Sequence, residues 1–480
     1  MKPSKLVSLT IAIAAGLIAL LMSPEYYHIN GLSVVEQRVI AIFIFAAIMW
    51  VSEAVPIWTT SVLVIVIMLL SVSDSSFLFL RNGSEHQALG TLIKYKALMA
   101  TFADPIIMLF LGGFFLAIGA GKVGLDKNLA RVLFKPFGTK SQTVLLGLMF
   151  VTAFFSMFMS NTATTAMMFA VMAPLLKPME NSGKGRVALV LSIPVAANIG
   201  GIGTPIGTPP NAIALKYLND VDGLNLGIGF GQWMVVMVPF VAAMMLASWW
   251  LLLKLFPFKR DVLELNFEGE FEKTKKAKIV YVTFAVTVLL WMFDKFTGIN
   301  SNVVAMIPMA VFCVCGIVDK NDLKEISWDV LWLVAGGFAL GVGLQDTGLA
   351  KHLIAAIPFE TWSPTMTIVG SGLLCFAMST FMSHTATTAL LIPVLAAVAT
   401  GMGDALTPFG GVPTLLIGVA LSASVAMILP ISTPPNAIAH SAGLTTQKQM
   451  ASVGVIVGAL GLAVGYGLLF VLGSTGYFIK

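Results

Sequence analysis

Thr208-Pro209-Pro210-Asn211-Ala212-Ile213-Ala214 returns without change as Thr433-Pro434-Pro435-Asn436-Ala437-Ile438-Ala439, 225 residues further on. Both copies sit inside long apolar segments. Adjacent prolines lack N–H groups and clash with the preceding turn, so each copy predicts a helix broken within apolar surroundings. Two other motifs recur in the same order. Gly112-Gly113-Phe114 returns as Gly336-Gly337-Phe338, and Ser160-Asn161-Thr162-Ala163-Thr164-Thr165-Ala166 as Ser383-His384-Thr385-Ala386-Thr387-Thr388-Ala389. The shifts are 224 and 223. Three ordered matches at nearly one spacing mark a duplicated chain.

Composition says what kind of chain was duplicated. Of 480 residues, 58% are hydrophobic and 11% charged, with a mean hydropathy of +0.92. Soluble domains carry about 25% charged residues. The 44 glycines and 22 prolines lie mostly within apolar runs, where neighbouring transmembrane helices satisfy freed backbone groups. This is a membrane protein. The net charge of +5 does not point to nucleic acid, because the basic residues fall between apolar spans. Cys313, Cys315 and Cys375 sit within apolar stretches and suggest neither a disulfide framework nor a metal site. The first span precedes the polar Ser23-Pro24-Glu25 without a small-residue cleavage site, so a retained first helix is expected.

Crossing the hydrocarbon core takes about 20 apolar residues in a helix. Full spans are expected near 5–22, 36–51, 56–73, 105–121, 231–256, 278–293, 302–318, 328–345 and 452–475. Segments 74–101 and 122–140 read as polar and basic amphipathic stretches outside the bilayer core. Segments 141–176, 187–216, 364–400 and 413–440 are too long for one plain span and carry polar interruptions at their middles. If the first and third dip in and return, while the second and fourth cross, 20 of the 28 lysines and arginines collect on one side. The positive-inside rule then puts the N-terminus in the cytoplasm and the C-terminus outside. The two dipping segments enter from opposite faces.

The expected fold is therefore an all-α polytopic membrane protein with two inverted-topology repeats, re-entrant hairpins and broken helices. Such breaks meeting near mid-membrane characterise secondary transporters. A channel is the competing reading, but the repeated residues are helix-breaking polar clusters and not a pore-lining stripe. The expected division is 1–104 N-terminal scaffold helices and 105–230 first-repeat transport elements. Scaffold helices and a cytoplasmic loop follow over 231–327, second-repeat transport elements over 328–450, and a last helix over 451–480.

The breaks suggest ion chemistry. Two prolines should end each helix and free the carbonyls of Pro205 and Ile206, and of Pro430 and Ile431, for a hard cation such as sodium. Ser160-Asn161-Thr162 supplies N-cap residue types before an apolar run, where free N–H groups and the helix dipole attract anions. Ser156 and Ser160, like Ser379 and Ser383, are four apart and should share a helix face. No Arg, Lys, Asp or Glu lies at any of the four tips. Glu53, Asp104 and Asp294 fall near span ends, which disfavours a carboxylate proton relay. His384 is the only titratable tip residue. Gly119-Ala120-Gly121-Lys122-Val123 lacks the earlier glycine and the hydroxyl residue of a phosphate loop, so ATP-driven transport has no support. Nothing suggests an enzyme.

The paired Ser160-Asn161-Thr162 and Thr208-Pro209-Pro210-Asn211 motifs, repeated at Ser383 and Thr433, closely resemble the divalent-anion/sodium symporter family over essentially the whole chain. The resemblance implies a homodimer in the inner (plasma) membrane, with a scaffold and a transport domain moving as an elevator. It implies substrates such as succinate, malate, fumarate, citrate or sulfate, with a C4-dicarboxylate the leading expectation, and sodium (Na+) as the coupling ion. A sodium-independent exchanger and a sodium/sulfate symporter stay open as alternatives. Carried over by position, Ser156, Asn161 and Gly207 would form one sodium site, and Ser379, His384 and Ser432 the other. Ser160, Asn161, Thr162, Thr208, Pro209, Ser383, His384, Thr385, Thr433 and Pro434 would face the substrate. His384 departs from the family's asparagine, and imidazole nitrogen suits a hard cation less well than an amide oxygen.

Overall fold

The computed structural model describes residues 3–82, 87–176, 184–219, 224–259, 262–263, 272–356 and 362–478. Lys2, Lys177, Arg260 and Lys480, four of the charges used to orient the chain, lie outside them. The first half runs α1 (Pro3–Leu21), α2 (Val34–Ser52), α3 (Ile57–Ser71), α4 (Tyr95–Ala100), α5 (Pro105–Lys122), α6 (Leu125–Phe134), α7 (Ser141–Ser156), α8 (Asn161–Leu176), α9 (Lys184–Gly200), α10 (Pro209–Asn219) and α11 (Phe230–Leu255). The second runs α12 (Lys275–Met292), α13 (Asp294–Thr297), α14 (Ser301–Val304), α15 (Met306–Val314), α16 (Trp328–Asp346), α17 (Leu349–Ala356), α18 (Pro364–Phe381), α19 (His384–Met402), α20 (Gly411–Ser424), α21 (Pro434–Ser441) and α22 (Gln447–Ser474). Among the described residues there is no β-strand, only two isolated bridges. Nine helical stretches among them are long and apolar enough to cross a membrane.

Polar residues set the helix starts as elementary capping rules require. Ser33 with Glu36, and Thr446 with Gln449, close reciprocal capping boxes at α2 and α22. Asp104 caps α5 before Pro105. Its position at a helix end, like that of Glu53 at the end of α2, agrees with the expectation that these carboxylates lie away from the tips. Two expectations need adjustment. Helical structure begins at Tyr95 with α4 and a 3-10 turn to Ala103, just before α5, so the polar segment is shorter than 74–101. The span expected near 302–318 is two short helices, α14 and α15, separated at Ala305.

All four long segments are interrupted. Segments 141–176 and 364–400 resolve into the helix pairs α7/α8 and α18/α19, each pair packed on itself across a short tip. Segments 187–216 and 413–440 are broken into α9/α10 and α20/α21. The packing repeats with the motifs. α9 lies against α7 and α8, and α20 lies against α18 and α19. Across the repeats, α10 packs on α19 and α20, while α21 packs on α8 and α9. Each half-helix that follows a break is thus held by the hairpin of the other repeat.

The breaks differ from expectation in one respect. The prolines do not end α9 or α20. α9 stops at Gly200, a 3-10 turn covers Gly201–Gly203, and Pro209 opens α10. α20 stops at Ser424 and Pro434 opens α21. Proline suits a first helical turn because its missing N–H would have no intrahelical partner there. Pro205, Ile206, Pro430 and Ile431 therefore lie in connecting turns, and the breaks free carbonyls of earlier residues as well.

Candidate functional site

Those freed carbonyls are gathered by two asparagines. Asn211 Nδ2 lies 3.0 Å from the Gly201 oxygen, 3.3 Å from that of Ile202 and 2.8 Å from that of Thr204. Asn436 Nδ2 donates to the Met427 and Leu429 oxygens at 2.9 and 3.0 Å. The last residue of each Thr-Pro-Pro-Asn motif thus folds back over its own break. An amide has two N–H donors and no charge, so it satisfies carbonyls at membrane depth without importing an ion. The repeated asparagine has a local structural task as well as a place in the motif.

The first hairpin tip lies over the first break. Ser156 closes α7 and donates to the Ala197 oxygen at 2.7 Å. With the Asn161 amide nitrogen turned inward, it meets Ser156 Oγ at 2.6 Å, the Gly207 oxygen at 3.1 Å and the Ala197 oxygen at 3.3 Å. Glycine makes this approach possible. A Cβ at Gly201 would stand 2.7 Å from the Asn161 amide, and one at Gly207 would stand 2.4 Å from the Gly201 oxygen. Three oxygens around one amide group form a donor set suited to a hard monovalent cation. Turning the amide over would add its own oxygen. The residues present fit sodium here.

The second tip is chemically different. His384 Nε2 lies 2.9 Å from the Ala426 oxygen. Ser379 is buried and its hydroxyl lies near Cys375, with 3.9 Å between Oγ and Sγ. Ser432 Oγ donates to the Thr380 oxygen at 2.7 Å and accepts from the Leu429 N–H at 3.0 Å. The bond that joins Ser156 to Asn161 has no counterpart between Ser379 and His384 among the described residues.

The remaining candidates surround these tips. Ser160 caps α8 through the Ala163 N–H at 3.2 Å, as expected of its residue type. Ser383 occupies the same position on α19 without that bond. The shared helix face expected for Ser156 and Ser160 is not formed, because α7 ends at Ser156 and Ser160 belongs to the tip. The same holds for Ser379, inside α18, and Ser383, outside it. Thr433 caps α21 through the Asn436 N–H. Thr208, Thr385 and Thr433 are buried, Pro209 is half-buried, and Thr162 and Pro434 are exposed. Two further residues carry no sequence signal. Asn198, in α9, reaches Thr433 and Asn436 of the other repeat at 3.1 and 3.3 Å. Lys216, at the end of α10, pairs with Asp104 at 2.6 Å and lies over the Phe338 ring. Neither belongs to a motif of its own.

Crossed broken helices, two hairpin tips and a set of three oxygens at the first of them suit a carrier. Residues 47–410 match the citrate transporter family model. The chain belongs to the citrate transporter family. It is also similar along most of its length to sodium-dependent dicarboxylate transporters named SdcS. The Staphylococcus aureus protein is 30% identical over 92% of this chain and 87% of its own length. The Staphylococcus saprophyticus protein is 29% identical over 89% and 84%. Together these bear out the resemblance to divalent-anion/sodium symporters. Two solved structures share the architecture. The YdaH transporter of Alcanivorax borkumensis superposes with a TM-score of 0.54 at 12% identity, covering 80% of this chain and 89% of that one. MtrF of Neisseria gonorrhoeae gives 0.53 at 13% identity over 86% and 94%. At such identities the likeness concerns the fold alone. The citrate transporter family assignment makes the chain a multi-pass membrane transporter.

Proposed function

We propose that this transporter carries a C4-dicarboxylate, such as succinate, malate or fumarate, coupled to sodium. The observation that carries the reading is the ring of Ser156 Oγ, the Ala197 oxygen and the Gly207 oxygen around the Asn161 amide. This ring lies next to helix starts that carry hydroxyls and no fixed charge. Sodium in the ring brings positive charge to the tip, and the N–H groups opening α8, α10, α19 and α21 add the positive ends of four helix dipoles. Ser160, Asn161, Thr162, Thr208 and Pro209 would face one end of the dianion. Ser383, His384, Thr385, Thr433 and Pro434 would face the other. The names of the staphylococcal relatives support both the substrate class and the ion.

The chain is taken to work as a homodimer in the inner membrane, N-terminus in the cytoplasm and C-terminus outside. Residues 105–230 and 328–450 supply the moving transport elements, which shift as an elevator against the scaffold formed by 1–104 and 231–327. The crossed packing of α10 on α19 and of α21 on α8 supports one moving body, since each repeat's hairpin packs on the other's half-helix.

Uptake of labelled succinate into proteoliposomes tests the reading. An inward sodium gradient should drive accumulation, and its removal should abolish it. Uptake that ignores sodium and requires internal dicarboxylate would establish exchange instead. One observation favours that second reading: His384 meets the Ala426 carbonyl where the family pattern has an amide.

A further inference from the structure

We infer that Asn198 is a positioning residue which fixes the Thr433 hydroxyl as a hydrogen-bond donor to the anionic substrate. The inference rests on the reading of Thr433 as a substrate contact and follows from hydrogen-bond arithmetic within one buried network. Asn436 uses both N–H groups of its amide on the Met427 and Leu429 carbonyls, which fixes its orientation. Its oxygen must then face Asn198. Only the nitrogen of Asn198 complements that oxygen, 3.3 Å away, so the orientation of Asn198 is fixed in turn. The second hydrogen of the same nitrogen reaches Thr433 Oγ1 at 3.1 Å. The Asn436 backbone N–H reaches the same oxygen at 3.1 Å. A threonine oxygen has two lone pairs and one proton. Both lone pairs are taken by N–H donors, so the proton must point elsewhere. No acceptor for it occurs among the described residues.

The two repeats supply an internal control. Asn198 lies ten residues before Thr208, and the residue ten before Thr433 is Ala423. The first repeat's Asn211 shows what the missing donor means. Its Oδ1 is buried and has no partner among the described residues, whereas Asn436 Oδ1 has Asn198. Among the described residues, Thr208 likewise has no side-chain N–H to direct its hydroxyl. Asn198 thus serves the opposite repeat, and only one of the two threonines is compelled to donate. A donor aimed at a carboxylate makes a charge-assisted hydrogen bond, the stronger kind. The two ends of the substrate would meet unequal sites, and Asn198 sets the difference.

A double-mutant cycle on succinate uptake tests this in the full-length protein in proteoliposomes. Thr433→Val should raise KM, and Asn198→Ala should raise it by roughly tenfold while kcat and the half-saturating sodium concentration stay near parent values. Asn198→Ser, which restores a short donor, should recover part of the loss. Adding Asn198→Ala to Thr433→Val should change KM no further, because Asn198 acts through that hydroxyl. Additive effects of the two substitutions would overturn the inference and leave the substrate reading intact. So would a fall in kcat and sodium affinity alongside KM, which marks a structural role. A Thr433→Val protein with parental KM would overturn the substrate reading itself. Melting temperature and elution as a single species verify that each variant is folded. Should Asn198→Ala fail there, Asn198→Ser alone and in the Thr433→Val background decides the case by the same criterion.

Discussion

Asn161 and His384 hold equivalent places in the two repeats, and their side chains make opposite offers to a cation. The amide can present either nitrogen or oxygen to the three oxygens around it. The imidazole puts one ring nitrogen against one carbonyl. Asn161→Ala is therefore expected to abolish uptake while leaving the protein inserted and folded, as read by uptake at matched expression. Parental uptake would remove Asn161 from the site. Ser156→Ala should raise the half-saturating sodium concentration by about tenfold, since one oxygen of the ring is lost. His384→Asn makes the tips chemically alike. It is expected to raise sodium cooperativity, or to confer it, in sodium titrations run beside the parent. Superimposable curves would mean that His384 only ties the tip to Ala426.

At the scale of elements, the controlling fact is how closely two turns pass at the first break. Gly207→Ala puts a methyl 2.4 Å from the Gly201 oxygen, against backbone that cannot yield as a side chain would. Overpacking of this kind costs about 1–3 kcal/mol. A lowered melting temperature together with lost sodium dependence is expected, and an unchanged melting curve would show that the turn has slack. This break is legible in the sequence only in part. Residue order locates it, because adjacent prolines and polar residues inside an apolar run are incompatible with a continuous membrane helix. Residue order does not say which carbonyls are freed, because proline can stop one helix or start the next, and here it starts one. The shared face of Ser156 and Ser160 fails for a related reason: four-residue spacing has meaning only within one helix, and Ser156 ends its own. Asn198 and Lys216 are silent in the sequence because their partners lie 235 and 112 residues away, and an isolated amide or ammonium announces nothing at that range.

In the whole molecule, the ends of the two half-helices are treated unequally. The end of α10 is fastened. Lys216 and Asp104 pair with about 15% of each side chain exposed, and the ammonium also covers Phe338, so α5, α10 and α16 meet at one point. The end of α21 is free by comparison, with His440 and Ser441 exposed. A pair this sheltered loses more from removal of one partner than from removal of both. Asp104→Asn, which keeps the α5 cap, should lower the melting temperature in detergent, and adding Lys216→Met to it should recover much of the loss. If the double variant is the less stable, the pair is a net stabiliser and desolvation does not dominate it. Topology has its own test. Cysteines replacing Lys184 and Asp404 should be labelled from the cytoplasmic and outer sides respectively, and labelling of both from one side would refute inverted repeats.

The ring at Asn161, as the proposed sodium site, has a consequence for fidelity. A carrier that returned across the membrane with only half its cargo would short-circuit the gradient that drives it. With its nitrogen inward, the amide meets the Ser156, Ala197 and Gly207 oxygens without an ion, and the tip then carries no net charge to oppose a return across the bilayer. Under the proposed coupling, sodium and the dianion cross together and their charges offset. The two intermediate loads are the awkward ones: a lone cation in the ring, or a lone dianion facing hydroxyls, is an uncompensated charge at membrane depth and costs several kcal/mol or more to move. The tightness of coupling would then be enforced by the bilayer, which penalises every incomplete passenger list, with one side chain signalling whether the seat is taken.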